Sequence, residues 1–283
     1  MKPLFYIFLT CWLLVALVGC NESSKPSVPE GAGNDTVAAL KKLSPQDSLE
    51  ALIEKEPVSA RADGFLNDFI YTFMTNRRFQ TERIAFPLPC YDGKDGKALL
   101  KKEDWKYSRL YLNLDFLTVF LDDKSSFHLM KSGDLNEVTL EWFDMPRDLV
   151  RDYCFKRRDG RWMMTEIRKF PVDNHRDADF INFYQHFATD SVFQMAHLAP
   201  TIHFVTEDTD EEFEEISGML DADQWPAFRP ELPANVFTNI DYGQTDKMGE
   251  HRVVLIQGIS DSFLNILYFR RSDNGWTLYR YEN

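Results

Sequence analysis

The sequence predicts an α+β protein made of two tandem copies of one unit, each a curved antiparallel sheet wrapped on N-terminal helices. Three observations point there. Residues match one another at a constant offset of 114 positions. Each copy opens on apolar side chains at helical spacing. Each closes on period-two strands joined by short turns.

The match is dense at both ends of the copies. Leu66, Phe69, Phe73, Thr75, Phe79 and Gln80 recur as Phe180, Phe183, Phe187, Thr189, Phe193 and Gln194. Phe155-Lys156-Arg157 recurs as Phe269-Arg270-Arg271, with Asp159 on Asp273 and Trp162 on Trp276. Two blocks at one spacing place the first unit, with a preceding helix, at 44–172 and the second at 173–283.

What precedes them reads as export and tethering. Residues 1–20 form a lipoprotein signal peptide, with Lys2 as its charge and Leu4 to Val18 apolar apart from Thr10. A permanent spanning helix needs roughly 20 apolar residues, more than this run supplies. It ends in Leu17-Val18-Gly19-Cys20, the form of a bacterial lipobox, so Cys20 is the expected lipidation site. Residues 21–43 are rich in Ser, Pro, Gly, Ala and Asn and lack a hydrophobic period, as a flexible tether does. Its reach is about 25 Å. Asn21 in place of Asp directs the sorting expectation to the outer membrane, facing the periplasm or the cell surface.

The elements follow in order. Ser44-Pro45 starts a helix, the hydroxyl capping free amides and Pro fitting the first turn. Ala62, Phe65, Leu66, Phe69, Ile70, Phe73 and Met74 stack on one face of the next. A short helical turn spans Phe79 to Ile84. Leu110, Leu112, Leu114 and Phe116 alternate with polar residues as a half-buried strand, and Val138, Leu140 and Trp142 repeat that pattern. Tyr153 to Arg158 and Arg161 to Lys169 flank Asp159-Gly160, a short hairpin signal. In the second copy Phe180, Phe183, Tyr184 and Phe187 make the helix, and Phe193 to Leu198 the short turn. Leu264 to Arg271 and Trp276 to Tyr281 flank the turn at Asp273-Asn274-Gly275. Between these lie seven carboxylates in the nine positions Glu207 to Glu215. Thr209 with Glu212 forms a capping box there, and Phe213, Ile216 and Leu220 an apolar stripe, so a solvated helix is expected.

This order resembles the nuclear transport factor 2-like fold, also called cystatin-like or SnoaL-like. The resemblance rests on Phe69, Phe73, Phe155 and Trp162 and their partners Phe183, Phe187, Phe269 and Trp276. With the lipobox included, the chain resembles an uncharacterised lipoprotein family of gut-type bacteria, a domain of unknown function carrying two such units. The resemblance implies architecture only, because the fold houses isomerases, dehydratases, epoxide hydrolases and non-enzymatic binding modules alike.

Chemistry is thin on this chain. The six histidines show neither HxH nor HExxH spacing, and the acidic run lacks the D-x-D-x-D-G pattern of a calcium loop, so no metal and no cofactor are expected. There is no G-x-S-x-G, and no catalytic residue can be named. His186 and His197, beside the second copy's helices, are the weak pocket candidates. Cys90 and Cys154 remain once Cys11 and Cys20 are set aside. In an oxidising envelope they form a disulfide if the fold brings them together, and two buried thiols if it does not.

Composition sets the remaining bounds. Apolar content of 44% with 23 Phe describes a globular body. The net charge is −13, and residues 179–283 carry 6 basic against 18 acidic side chains, which excludes nucleic acid as a partner. The leading expectation is a membrane-anchored, non-catalytic module of the cell envelope that binds a small molecule or an envelope protein. The alternatives are a small-molecule enzyme using one cone-shaped pocket and a purely structural protein. An enzyme should bring acid and base together in an apolar cavity, a binding module should show an aromatic-lined cleft without them, and a structural protein should have both cones filled.

Overall fold

The structure, a computed structural model, describes residues 60–93, 96–207, 215–243, 249–260 and 263–283. Cys20, the tether, the helix expected from Ser44-Pro45 and residues 208–214 of the acidic run lie outside that set.

Helix α1 (Leu66–Thr75) buries Leu66, Phe69, Ile70, Phe73 and Met74 of the face that the helical spacing selects, while Phe65, expected on it, precedes the helix and is 55% exposed. Asn76 ends it and caps α2 (Arg77–Glu82), its side chain accepting from the Phe79 amide at 2.9 Å. Strands β1 (Leu88–Asp92), β2 (Gly96–Leu100), β3 (Phe116–Leu121), β4 (Glu137–Asp144), β5 (Leu149–Arg158) and β6 (Arg161–Phe170) complete the N-terminal half. The C-terminal half repeats the order. Helices α3 (Ala178–Thr189) and α4 (Ser191–Ala196) meet at Asp190, which caps as Asn76 does. Then come β7 (Leu198–Glu207), β8 (Glu215–Asp221), α5 (Trp225–Phe228), β9 (Val236–Asp241), β10 (His251–Gly258), β11 (Leu264–Ser272) and β12 (Gly275–Glu282).

The strands form two six-stranded sheets, β2-β1-β6-β5-β4-β9 and β8-β7-β12-β11-β10-β3. Their orders correspond strand for strand, with one exchange. β3 leaves its own half to pair with β10, and β9 crosses the other way to pair with β4. Where they cross, Thr118 and Thr238 bond reciprocally. Each amide donates to the other hydroxyl, at 3.1 and 3.0 Å, and each hydroxyl donates to the other carbonyl. Such reciprocity is what a local twofold axis produces. Each half therefore draws a strand from the other, and residues 44–172 and 173–283 do not build their sheets separately.

β1 runs parallel to β6 and β7 parallel to β12, so each sheet is mixed where a wholly antiparallel one was expected. The first strand of each half lies beside its last, reached only after the whole meander, and arrives pointing the same way. Hairpin β5–β6 turns through Asp159 (φ 52°) and Gly160 (φ 76°), the two positive dihedrals that this dipeptide tolerates.

The aromatic cores correspond in detail. Phe155 meets Phe69 and Phe73 edge-on at 5.6 and 5.3 Å, and Phe269 meets Phe183 and Phe187 edge-on at 5.7 and 5.2 Å. Arg157 lies over Trp162 at 4.8 Å, as Arg271 lies over Trp276 at 4.6 Å. A buried glutamine ties each helix pair to its half. Gln80 Nε2 donates to the Phe73 carbonyl and Oε1 accepts from Trp105 Nε1. Gln194 does the same with Phe187 and Trp225.

Two expected elements are corrected. Leu110–Asn113 is a 3-10 turn and the strand begins only at Phe116, because Leu110 sits at φ 45°, outside the extended region. Ile216 to Leu220 belongs to strand β8, not to a helix. A spacing of four satisfies period two as well as period 3.6, and on the strand Ile216 is 51% exposed while Leu220 is buried.

Candidate functional site

A cleft of about 260 Å³ opens in the N-terminal half between α1, the 3-10 turn at Leu110–Asn113 and strands β3, β9 and β10. Val119 and Ile240 form its buried floor. Met74, Tyr111, Leu117 and Tyr242 make its walls, and Asn67, Tyr71 and Gln257 its exposed rim. Among the described residues no charged side chain lines it. Burial pushes the Tyr111 phenol far above its ordinary value, and burial together with Tyr111 does the same to Tyr242. Both are therefore neutral hydroxyls at any physiological pH.

The corresponding place in the C-terminal half is full. Gln257 opposes Leu117 across β10–β3, and in the same register Phe143 opposes Phe237 across β4–β9. Phe143 and Phe237 stack at 5.1 Å and are fully buried, with Phe120 against them at 6.4 and 5.8 Å. Tyr184 and Ile181 close the cluster where the N-terminal half has Ile70 and Asn67. One half has filled its cone with rings, and the other has left it open.

A polar network lies on the face of β9 that carries Phe237, opposite the cleft-floor Ile240. Asn239 Nδ2 donates to Glu141 Oε2 at 2.7 Å, and its Oδ1 accepts from the Phe120 amide, clamping β3. His175 Nε2 reaches Glu141 Oε1 at 3.1 Å. Asp152 stands directly opposite Glu141 across β4–β5 and pairs with Arg168 at 3.2 Å. Its Oδ1 is buried without a hydrogen-bond partner. Burial, with the Glu141 charge beside it, raises the Asp152 carboxyl to about 7 in spite of Arg168. A carboxyl and a histidine with shifted protonation are the signature sought for an enzyme. None of the four hollows described in this structure reaches them. Three of those hollows are larger than the cleft, at about 420 to 510 Å³, but all three are lined by charged side chains, among them Asp123, Glu250, Glu282 and Arg280.

The residues singled out from sequence lie elsewhere. His186 is exposed with its ring against Phe193, and His197 stacks on that same ring at 3.9 Å. His197 Nδ1 and Nε2 contact the Phe193 and Asn274 carbonyls. Both pack; neither lines a described hollow. Cys90 and Cys154 are free thiols on β1 and β5, with β6 between them. Two strand spacings are about 9–10 Å, beyond the reach of a disulfide. Burial pushes the Cys154 thiol up to about 12, so it is an inert small hydrophobe. The cleft residues were missed, although one was readable: at the offset of 114, Gln257 stands where Phe143 does. Leu117 and Phe237 pair only at an offset of 120, the separation of the two crossing threonines.

A crystal structure of an NTF2-like protein from Bacteroides fragilis NCTC 9343 superposes with a TM-score of 0.72 at 36% identity. The match covers 80% of this chain and 98% of that one. No curated protein matches the chain. The family described as Domain of unknown function (DUF4348) matches residues 45–283. The chain belongs to that family and has the nuclear transport factor 2-like fold.

Proposed function

We propose that the chain is a non-catalytic binding module of the bacterial cell envelope. It is built as a tandem pair of nuclear transport factor 2-like units, held to the membrane by a lipid on Cys20, and it takes a small molecule in the cleft of its N-terminal half. The observation that carries this reading is the contrast between the halves. Where the C-terminal half packs Phe120, Phe143 and Phe237, the N-terminal half presents a tyrosine-lined cleft whose described lining residues include no acid–base pair. Small-ligand sites are concave, mostly apolar and equipped with few polar groups, which describes this cleft. An enzyme is favoured by one observation, the Glu141–Asp152–His175 group, but that group has no substrate-sized space beside it among the described hollows.

Mild extraction of the protein from its own envelopes, followed by native mass spectrometry, tests the reading. The expected species is the lipid-modified chain carrying one small molecule. A bare, unacylated chain would contradict both the anchor and the binding role.

A further inference from the structure

The filled half shows what shape the open half accepts. Strand register puts Gln257, Leu117 and Ile240 at the positions that hold Phe143, Phe237 and Phe120 in the C-terminal half. Each substitution withdraws a ring from the same framework, and the space withdrawn is the cleft. The rings that occupy the C-terminal site lie 24° from parallel at 5.1 Å, with Phe120 tilted at 58° against Phe237. Such a slot is wide enough for planar groups and is walled by apolar side chains.

Charge and size narrow the occupant further. Among the described residues no lysine, arginine, histidine or carboxylate lines the cleft, so an ionised ligand would lose its hydration without gaining a partner there. The polar groups present are the neutral phenols of Tyr111 and Tyr242 and the amides of Asn67 and Gln257. They suit a hydroxyl or carbonyl on the ligand edge. A cavity of roughly 150 Å³ holds benzene, so 260 Å³ leaves room for a second fused ring.

We infer that the ligand is an uncharged, flat ring compound of about two fused rings, seated at the counterpart of the place that the Phe143–Phe237 pair fills against the C-terminal helices. This rests on the binding reading proposed above and adds the ligand class to it. The test is a fluorescence and calorimetric titration of the full mature chain with three probes. They are 2-naphthol, naphthalene-2-sulfonate (the same rings with a charge) and 1-octanol (a similar edge without rings). The expected result is 2-naphthol bound at least tenfold tighter than either of the others. The double variant Leu117→Phe/Gln257→Phe, which recreates the ring pair of the other half, should lose that binding by at least tenfold. Ile240→Phe, filling the floor instead, gives the same answer if the double variant does not fold. Octanol or the sulfonate binding as well as naphthol, and blocked by the same variants, would overturn the ligand class while leaving the binding module standing. Failure of all three probes, or binding that the variants leave unchanged, would overturn the class and the cleft together.

Discussion

Asp152 shows how a single position escapes the patterns that find most of the chain. On β5 the buried Tyr153 and Phe155 mark one face by period two, which leaves the acidic Asp152 on the opposite side, to be read as solvent-facing. That side in fact holds His175, from the link between the halves, bonded to the neighbouring Glu141, and Asp152 is only 4% exposed. Glu141 opposite, Arg168 on β6, Asp241 on β9 and His175 all bear on it, and Glu166 shares Arg168 with it. Burial opposes a charged His175, but the hydrogen bond and charge of Glu141 outweigh it, and the imidazole is raised above its ordinary value. Both shifts raise the folded-state value, so both add stability at low pH and withdraw it as pH rises. For Asp152 the window runs from about 4 to 7. The unfolding free energy from urea titration should therefore be larger at pH 5 than at pH 7.5, by on the order of 2 kcal/mol, with a correspondingly higher midpoint. In Asp152→Asn, which has no proton to lose there, most of that slope should vanish. A native midpoint that climbs between pH 5 and 7.5 would refute the assignment. Gln80 and Gln194, by contrast, were legible as recurring residues, while their indole partners Trp105 and Trp225 fall at the offset of 120 and escaped notice.

Among the elements, the aromatic helix that opens each half and the final hairpins were read correctly because dense aromatic periodicity and the Asp159-Gly160 turn are local signals. The exchanged strands were not, since β3 and β9 are specified by partners about 120 residues away. Their joint is Thr118 with Thr238, both fully buried. Thr118→Val keeps the shape and β-branching but strands the Thr238 amide and carbonyl, each of which had used the lost hydroxyl. Two buried groups left unpaired cost roughly 2–4 kcal/mol. Thr81→Val, whose exposed hydroxyl bonds only the carbonyl one helical turn back, should change stability by less than about 0.5 kcal/mol. Equal effects at the two sites, measured by chemical denaturation, would mean that the exchange contributes nothing special. β8 teaches a related lesson: its apolar residues fit two periods at once, and only pairing with β7 decides between them.

For the molecule as a whole, the α+β architecture and the correspondence of the halves were accessible from one sequence offset, whereas the candidate site was not. Identical core residues reveal the architecture, and the site lies where the halves cease to agree: Gln257 for Phe143, Leu117 for Phe237, Ile240 for Phe120. A search for shared motifs passes over such positions by construction. One half gains a continuous aromatic core, and the other keeps an uncharged opening beside α1. The most direct measurement is a crystal structure of the mature chain soaked with 2-naphthol. The account predicts planar density between Leu117, Ile240 and Gln257, with its hydroxyl toward Tyr111 or Tyr242. Density in the charged hollows near His251 or Glu282 instead, or an empty cleft at saturating probe, would contradict it.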